Sequence, residues 1–175
     1  MHYRLRRAVP GDDAETLLAI YASTRADEMA LTRWNAVQID AFVRQQFEAQ
    51  RQHYAQHFPQ ALCQLISVND VPAGRLWLDW RHDSLHILDI SLLPDARGQG
   101  LGTQCLRALM REAAAQQLAL TIYVELHNPA RRLYERLGFV TDGEAQGLYQ
   151  HMRWRDDAEP ASPLLPSTDK ECSPC

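Results

Sequence analysis

Apolar positions recur with two different periods along the chain, and these periods predict alternating strands and helices. An alternating run, Tyr3–Val9, predicts a first strand. Two amphipathic helices follow, the first capped by Asp12 or Asp13 and the second ended by Pro59. Their apolar residues recur at helical spacing: Leu17, Leu18 and Tyr21 on the first helix, and Val37, Ala41, Val43, Phe47 and Tyr54 on the second.

The middle and the end of the chain predict six more strands and two more helices. Three strands are joined by turns in "NDVPAG" and "RHDS": Ala61–Val68, Gly74–Trp80 and Leu85–Leu93. A helix, Leu101–Gln117, leads into Leu118–Leu126, which is apolar on both faces and therefore predicts a buried parallel strand. "NPARRLYERLG" predicts a short helix capped by Asn128 and stopped by Gly138, and the next sixteen residues predict a closing hairpin.

This order of elements predicts one α/β domain with a mixed central sheet of about seven strands and helices on both faces. We place the domain at residues 1–155. Residues 156–175 are rich in Pro, Ser and acidic residues, and their low apolar content predicts a disordered tail.

Composition narrows the function by exclusion. The net charge of −4 makes nucleic acid an unexpected partner. No stretch resembles a signal peptide or approaches the roughly 20 apolar residues of a membrane span. Cys63 and Cys105 lie in apolar surroundings and indicate buried free thiols, so we expect a cytoplasmic protein. Cys172 and Cys175 form a single CxxC pair, which by itself does not complete a zinc site, and we expect no metal.

Three glycines stand at alternate positions where a helix should begin: Gly98, Gly100 and Gly102. A helix start presents unpaired N–H groups, and the absence of side chains lets an anion approach them. The spacing does not match the dinucleotide fingerprint, and the lysine of the P-loop is missing. The segment therefore predicts a cradle for a phosphate or pyrophosphate. The alternative is that the glycines permit tight packing between helix and strand.

"RGQGLG", from Arg97 to Gly102, resembles the acyl-coenzyme A signature of the GNAT family of N-acetyltransferases. "NPARRLYERLGF" resembles the second signature of the same family, in the family's order and with one helix and one strand between them. The resemblance covers about Tyr3 to Trp154. Asn128 stands six residues before Tyr134, whereas seven is common in the family, so the contact that Asn128 makes is left open.

The resemblance implies the GNAT fold, with the sheet splayed between its fourth and fifth strands, and acetyl-CoA as donor. Backbone N–H groups of the glycine segment would hold the pyrophosphate, and the pantetheine arm would add to the fourth strand where it ends. Arg107, Arg131, Arg132 and Arg136 are candidates for the 3′-phosphate or for a solvated helix face. The implied coenzyme-binding residues are Leu92, Leu93, Arg97, Gly98, Gln99, Gly100, Leu101, Gly102, Thr103, Asn128, Ala130, Arg131 and Tyr134.

The implied reaction is direct attack of a primary amine on the thioester. Tyr134 matches the family's general acid, which protonates the departing thiolate. His86, assigned to the same strand face as Leu88, Ile90 and Leu92, is one candidate base; Glu125 is the second, and an ordered water chain is the third possibility. Asp89, assigned to the opposite face, is expected to orient the first helices.

The acceptor is expected between the two N-terminal helices and the last hairpin. Its candidate residues are polar or aromatic: Glu28, Trp34, Gln46, Phe47, Gln50, Tyr54, Trp77 and Tyr149. The expected partners are acetyl-CoA and an amine of a small molecule or peptide, with a homodimer as an open alternative. Two other functions remain open at this point: a non-catalytic acetyl-CoA sensor, and an interaction protein that uses its aromatic helices.

Overall fold

A seven-stranded sheet is the frame of the molecule in the computed structural model, which describes residues 2–156. The strands cross the sheet in the order β1-β2-β3-β4-β5-β7-β6, and only β4 and β5 run parallel. Their bounds are β1 (Tyr3–Arg7), β2 (Leu62–Val68), β3 (Val71–Trp80), β4 (Ser84–Leu92), β5 (Ala119–Glu125), β6 (Val140–Thr141) and β7 (Tyr149–Trp154). The mixed sheet of seven strands is confirmed.

Helices cover both faces of this sheet. The helices are α1 (Ala14–Ala30) and α2 (Ala36–His57) on one face, and α3 (Leu101–Ala115) and α4 (Arg131–Arg136) on the other. Neighbouring residues of one strand point to opposite faces. Leu65 of β2 therefore packs in the core under α1 and α2, while Ile66 packs in the core under α3 and α4. The predicted order of strands and helices is confirmed.

The sheet splits between β4 and β5. The two strands pair only from Ser84 to Ile87 and from Ala119 to Ile122. Beyond that point, residues 88–92 of β4 and 123–125 of β5 have no ladder between them. The predicted splay is confirmed, and it opens a cleft at the end of the sheet where the glycine segment begins.

A β-bulge at Leu88 changes which β4 residues share a face. Asp89 pairs with Trp77 whereas Ile87 pairs with Leu78, so Leu88 is the extra residue. The assignment of His86 to the face of Ile90 and Leu92 is therefore wrong. His86 shares the face of Asp89, toward α1 and α2. The alternation of apolar residues gave no sign of the extra residue, which reverses every position after it.

Several local predictions are corrected. The turn in "NDVPAG" is only Asn69–Asp70, both with positive φ, as a two-residue hairpin requires. The cap of α2 is Asn35, whose side chain accepts the N–H of Gln38. Asp13 precedes α1, but its carboxylate binds Arg6 and the N–H of Val9 instead of capping the helix. Its pKa falls to about 2, chiefly because of the Arg6 hydrogen bond.

Three further side chains are more exposed than predicted. Val37, which is 79% exposed, and Ala41 lie on the outer side of α2, because the helix buries Val43 and Phe47 instead. Cys105 is a buried free thiol as predicted, whereas Cys63 is only half-buried. Cys172, Cys175 and the predicted tail after Asp156 lie outside the described residues.

Candidate active site

Glycine is required at two positions of the loop between β4 and α3 because of backbone conformation. Gly98 has φ +70° and Gly100 has φ +80°, backbone conformations that residues with a Cβ rarely adopt. A Cβ placed on either residue would meet no atom within 4 Å. At Gly102, a Cβ would lie 3.7 Å from both Leu92 and Leu133, which is ordinary contact. Tight packing against the protein therefore does not account for these glycines.

The same loop gathers backbone donors at the mouth of the cleft. Gly100 caps α3, and the N–H of Gln104 is bonded to its carbonyl oxygen (3.0 Å). The N–H groups of Leu101, Gly102 and Thr103 therefore lie in the first turn, before intrahelical bonding begins. This turn has the form of an anion cradle, and a pyrophosphate fits it.

Side chains of the loop brace it from within. The Arg97 guanidinium donates to the carbonyl oxygens of Leu92 (2.8 Å) and Ser23 (3.4 Å). The Gln99 amide donates to the carbonyl oxygen of Asp95. The two side chains point back to the protein, so the cradle consists of backbone atoms.

The end of β4 turns peptide groups toward the cleft at alternate residues, Ile90 and Leu92. Antiparallel neighbours alternate between residues that bond across the ladder and residues that turn away from it. Leu93 faces β3, since its N–H donates to the Ala73 carbonyl oxygen (2.8 Å). Leu92, one residue earlier, therefore turns its N–H and C=O toward the split. An extended chain such as a pantetheine arm fits along this edge.

Helix α4 brings Tyr134 to the other side of the glycine loop. The Asn128 side chain accepts the N–H of Ala130 (2.9 Å), and its carbonyl accepts the N–H of Arg131 (3.0 Å), so this turn starts α4. Arg131 pairs with Glu135 (3.2 Å). Gly138 stops the helix at φ +89°, as predicted.

Tyr134 itself is buried with its ring edge-on to Phe139, 5.5 Å between centroids. Burial raises the pKa of Tyr134 well above its usual value, and the negative charge of Asp89 raises it further. The phenol is therefore protonated at neutral pH and able to donate a proton.

His86 lies where β4 and β5 are still paired. Its Nδ1 is 2.8 Å from the Thr121 hydroxyl, and its ring meets the edge of Tyr123 at 5.6 Å. Burial lowers the pKa of His86 to about 4, and the charges of Arg81 and His151 lower it further. The imidazole is neutral at pH 7, weakly basic and only 3% exposed.

Glu125 lies at the open end of β5. Its carboxylate accepts the hydroxyl of Tyr149 (3.3 Å), so the side chains of β5 and β7 form one wall of the cleft. Burial raises the pKa of Tyr149 and the neighbouring Glu125 raises it further, while the positive charge of Arg25 opposes them. Helix α1 and this wall therefore influence each other across the cleft.

Three of the predicted acceptor residues meet beside the bulge. Tyr54 donates its hydroxyl to the carbonyl oxygen of Leu88 (3.4 Å) and stands edge-on to Trp77, 5.1 Å between centroids. The Gln50 amide oxygen accepts a hydrogen bond from Arg75 (2.9 Å). These contacts hold α2 against the bulged part of β4.

The remaining acceptor candidates are spread more widely. Phe47 is in the core against Tyr21, and Gln46 is half-buried on α2. Trp34 packs edge-on to Phe42 at the start of α2. Glu28 pairs with Arg25 near the end of α1 (3.0 Å).

Sequence reasoning missed Arg75, although its neighbours contain a signal. Arg75 is 2% exposed, donates to the Asp89 carboxylate (2.7 Å) and lies 5.4 Å from the ring of Tyr21. An arginine inside the otherwise apolar run of β3 requires a buried partner. Asp89, expected to orient the first helices, is that partner and reaches α2 through Arg75 and Gln50.

Residues 2–156 contain neither a cluster of metal-ligating side chains nor a membrane-spanning helix. No three histidine, cysteine or acidic side chains are grouped as metal ligands would be. No helix in this part of the chain is long and apolar enough to cross a membrane.

Comparison with known proteins identifies relatives of the whole arrangement. The model of the acetyltransferase (GNAT) family matches residues 25–139. The L-methionine sulfoximine/L-methionine sulfone acetyltransferase of Pseudomonas paraeruginosa is 31% identical over 157 residues, 82% of this chain and 85% of the relative. The protein of the same description from Pseudomonas aeruginosa is also 31% identical, with the same coverage.

Solved structures share the fold at lower identity. The PaiA N-acetyltransferase of Thermoplasma acidophilum in complex with coenzyme A superposes with a TM-score of 0.66 at 17% identity, over 89% of this chain and 100% of that one. The ribosomal-protein-S18-alanine N-acetyltransferase of Escherichia coli gives 0.63 at 18% identity, over 94% and 99%. At these identities the likeness concerns the fold alone.

Proposed function

This chain belongs to the GNAT family and is an acetyl-CoA-dependent N-acetyltransferase acting on a small-molecule amine. From this premise we propose that its acceptor is an amino acid or a close analogue. The support is the 31% identity, over most of both chains, to enzymes named for two methionine derivatives. Both of those acceptors carry a free amino group beside a carboxylate. The rest of the proposal assigns roles to the residues that line the cleft.

We assign the coenzyme to the split between β4 and β5. The first turn of α3 would hold the pyrophosphate through N–H groups, and the N–H of Leu92, whose carbonyl oxygen already accepts Arg97, would donate to a pantetheine carbonyl oxygen. Bound there, the coenzyme supplies an acetyl thioester. The observation that carries this assignment is that the glycine loop and the Leu92 N–H lie together at the split end of β4, where the charge of Asp89 also acts on the Tyr134 phenol.

The residues of the cleft then divide the proton transfers of the reaction. As the neutral amine nitrogen bonds to the acetyl carbon, the bond from that carbon to sulfur breaks, and Tyr134 donates its phenol proton to the sulfur. The nitrogen then loses one of its two protons, which returns through solvent to the Tyr134 phenolate, so that the amide, the free thiol and the phenol result. The acceptor must first lose its ammonium proton. We assign that proton to Glu125 and solvent, because Glu125 is at the open end of the cleft whereas His86 is enclosed and weakly basic.

We place the enzyme in the cytoplasm. Cys63 and Cys105 are free thiols, which a reducing compartment preserves.

The test is thiol release from acetyl-CoA with a panel of amines. The panel comprises L-methionine sulfone, other amino acids, a polyamine, an amino sugar and a short peptide. We expect the amino-acid group to give the highest kcat/KM, with one acetylated product per thiol released. A higher kcat/KM for the peptide or the polyamine would contradict the proposed acceptor.

A further inference from the structure

Arg25 is the one basic residue of α1 and stands two residues after Ser23, whose carbonyl oxygen accepts Arg97 of the glycine loop. It stands one helical turn after Tyr21, to whose hydroxyl its Nε donates (3.4 Å), and its guanidinium carbon lies 5.6 Å from the centre of that ring. Tyr21 is buried against Phe47. The buried ring of Tyr21 therefore holds the Arg25 guanidinium in place.

A short series of contacts connects Arg25 to the bulge in β4. The ring of Tyr21 also receives the guanidinium of Arg75, 5.4 Å from its centre. Arg75 in turn binds the carboxylate of Asp89 (2.7 Å), the residue after the bulge at Leu88. Arg25 and Arg75 thus both contact the ring of Tyr21, which connects Arg25 to the Arg75–Asp89 ion pair beside β4.

The opposite wall carries the opposite charge. Tyr149 donates to Glu125 across β5 and β7, and the charge of Arg25 acts on the Tyr149 hydroxyl from α1. A molecule in the cleft therefore meets a guanidinium on one side and a carboxylate on the other. This distribution complements a zwitterion.

Arg25 differs from the two neighbouring arginines in having donors to spare. Arg75 is enclosed, and its guanidinium is bound to Asp89 and Gln50. Arg97 is bound to two backbone carbonyls. The Arg25 side chain is 42% exposed, and its bonds to Tyr21 and Glu28 use only Nε and Nη1. The exposed pair with Glu28 is weak enough to rearrange around a ligand.

We propose that Arg25 binds the carboxylate of the acceptor and so makes the enzyme select amino acids over the corresponding simple amines. The proposal rests on the amino-acid acceptor of the previous section. A guanidinium binds a carboxylate through two parallel hydrogen bonds, which orients the ligand as well as holding it. With the carboxylate held under α1, the amino group is directed into the cleft.

The test compares two acceptors that differ only in the carboxylate: L-methionine sulfone and 3-(methylsulfonyl)propylamine. We expect the wild-type kcat/KM to be about 10- to 100-fold higher for the amino acid, the range of a charge-assisted hydrogen-bonded contact. Arg25→Gln should remove that preference by lowering kcat/KM for the amino acid, mainly through KM. For the amine, the change should stay within about threefold. Arg25→Lys should retain part of the preference.

Arg44→Gln is the matched control. Arg44 is also half-exposed and also pairs with acidic side chains, but its partners are Glu15 and Asp40 on the outer side of α1 and α2. We expect this variant to keep the wild-type preference. Binding supplies a second readout: calorimetry of L-methionine sulfone with the coenzyme-A-bound protein should show weaker binding for Arg25→Gln and unchanged binding for Arg44→Gln.

The outcomes separate this proposal from the proposed function. If the wild type acetylates the amino acid and the amine equally well, or if Arg25→Gln lowers both equally, Arg25 does not bind the carboxylate although the function stands. If the wild type acetylates neither molecule but accepts another class of amine, the amino-acid acceptor is wrong, and the role of Arg25 falls with it.

Discussion

The two sides of the cleft differ in composition: one presents backbone groups and the other presents side chains. The side that we propose for the coenzyme is one continuous segment, Leu92–Thr103, and it presents backbone groups whose direction depends on strand pairing and on glycine conformation. The acceptor side is assembled from side chains of α1, α2, β3, β5 and β7, which meet only in the folded protein.

This difference predicts different responses to substitution. Backbone groups are present whatever the side chain, so the coenzyme side should fail only where a substitution changes the backbone itself. The acceptor side depends on particular atoms, above all the buried Arg75–Asp89 pair that holds Gln50 and supports Tyr21. Here a single lost atom removes several contacts.

The largest effect is expected from Asp89→Ala. Removing the carboxylate leaves the guanidinium of Arg75 buried without its charged partner, which costs about 3–5 kcal/mol of the free energy of unfolding. Urea denaturation measures the change. Asp40→Ala, which breaks the exposed pair with Arg44, should cost at most about 1 kcal/mol. Equal losses in the two variants would mean that the buried pair has no special part in the acceptor side.

Tyr134→Phe should separate catalysis from binding. The variant keeps the buried ring and removes only the proton donor, so we expect kcat to fall by about 100-fold or more. The Kd for acetyl-CoA should change by no more than about threefold. Stopped assays of thiol release and calorimetry measure the two quantities, with Tyr3→Phe on the edge strand β1 as control. A matching loss of coenzyme affinity would contradict the role as acid.

His86 should make stability depend on pH. Its pKa is about 4 in the folded protein against 6.5 for an ordinary histidine, so the unfolded chain binds the proton more tightly. The free energy of unfolding should therefore fall as the pH drops from about 6.5 to about 4, by about 3 kcal/mol in all, and the contribution should then level off.

The variant His86→Gln should lack this component, whereas His82→Gln, at an exposed position, should retain it. Denaturation at a series of pH values measures the difference. Parallel curves for wild type and His86→Gln would show that the imidazole is not enclosed as described. The kcat of the same variant, measured near pH 7, tests whether His86 has a catalytic part as well.

Gly100→Val has the smallest expected cost but acts on the coenzyme side alone. Holding a branched residue at positive φ costs about 1–3 kcal/mol, or the loop changes shape to avoid it. Either way, acetyl-CoA affinity should fall by about 10-fold or more in calorimetry. Gly11→Val imposes the same strain at φ +96° before α1 and should leave the affinity unchanged. If Gly11→Val weakens the coenzyme equally, the effect is not local to the loop.

The same difference explains what the sequence revealed. The side proposed for the coenzyme is local: Gly98 and Gly100 stand within one short motif and Tyr134 within another, so the proposal can be made from the sequence. The acceptor side is not local. Its arrangement depends on the extra residue at Leu88, which no periodicity reveals, and on Arg75, whose burial becomes evident only when Asp89 is opposite it.

The exposure of Val37 shows a second limit of prediction from the sequence, which concerns the burial of helix residues. Val37 fits the apolar spacing of α2, but the residues that α2 buries are decided by where Leu65 and Tyr21 lie beneath it. Helical periodicity predicts which residues share the apolar face of a helix, whereas the neighbouring elements determine which of those residues are buried. The split of the sheet was predicted only from resemblance to a family, because pairing between distant segments leaves no local signal.

Hydrogen exchange with and without acetyl-CoA tests the central claim most directly, because it measures the backbone amides themselves. The account predicts that the N–H groups of Leu92 and of Gly98–Thr103 become protected when acetyl-CoA is added. The amides of His82 and Asp83, in the turn at the other end of β3 and β4, should exchange at unchanged rates. Protection elsewhere with no change in the glycine loop and at Leu92 would contradict a coenzyme site built from the backbone of this cleft.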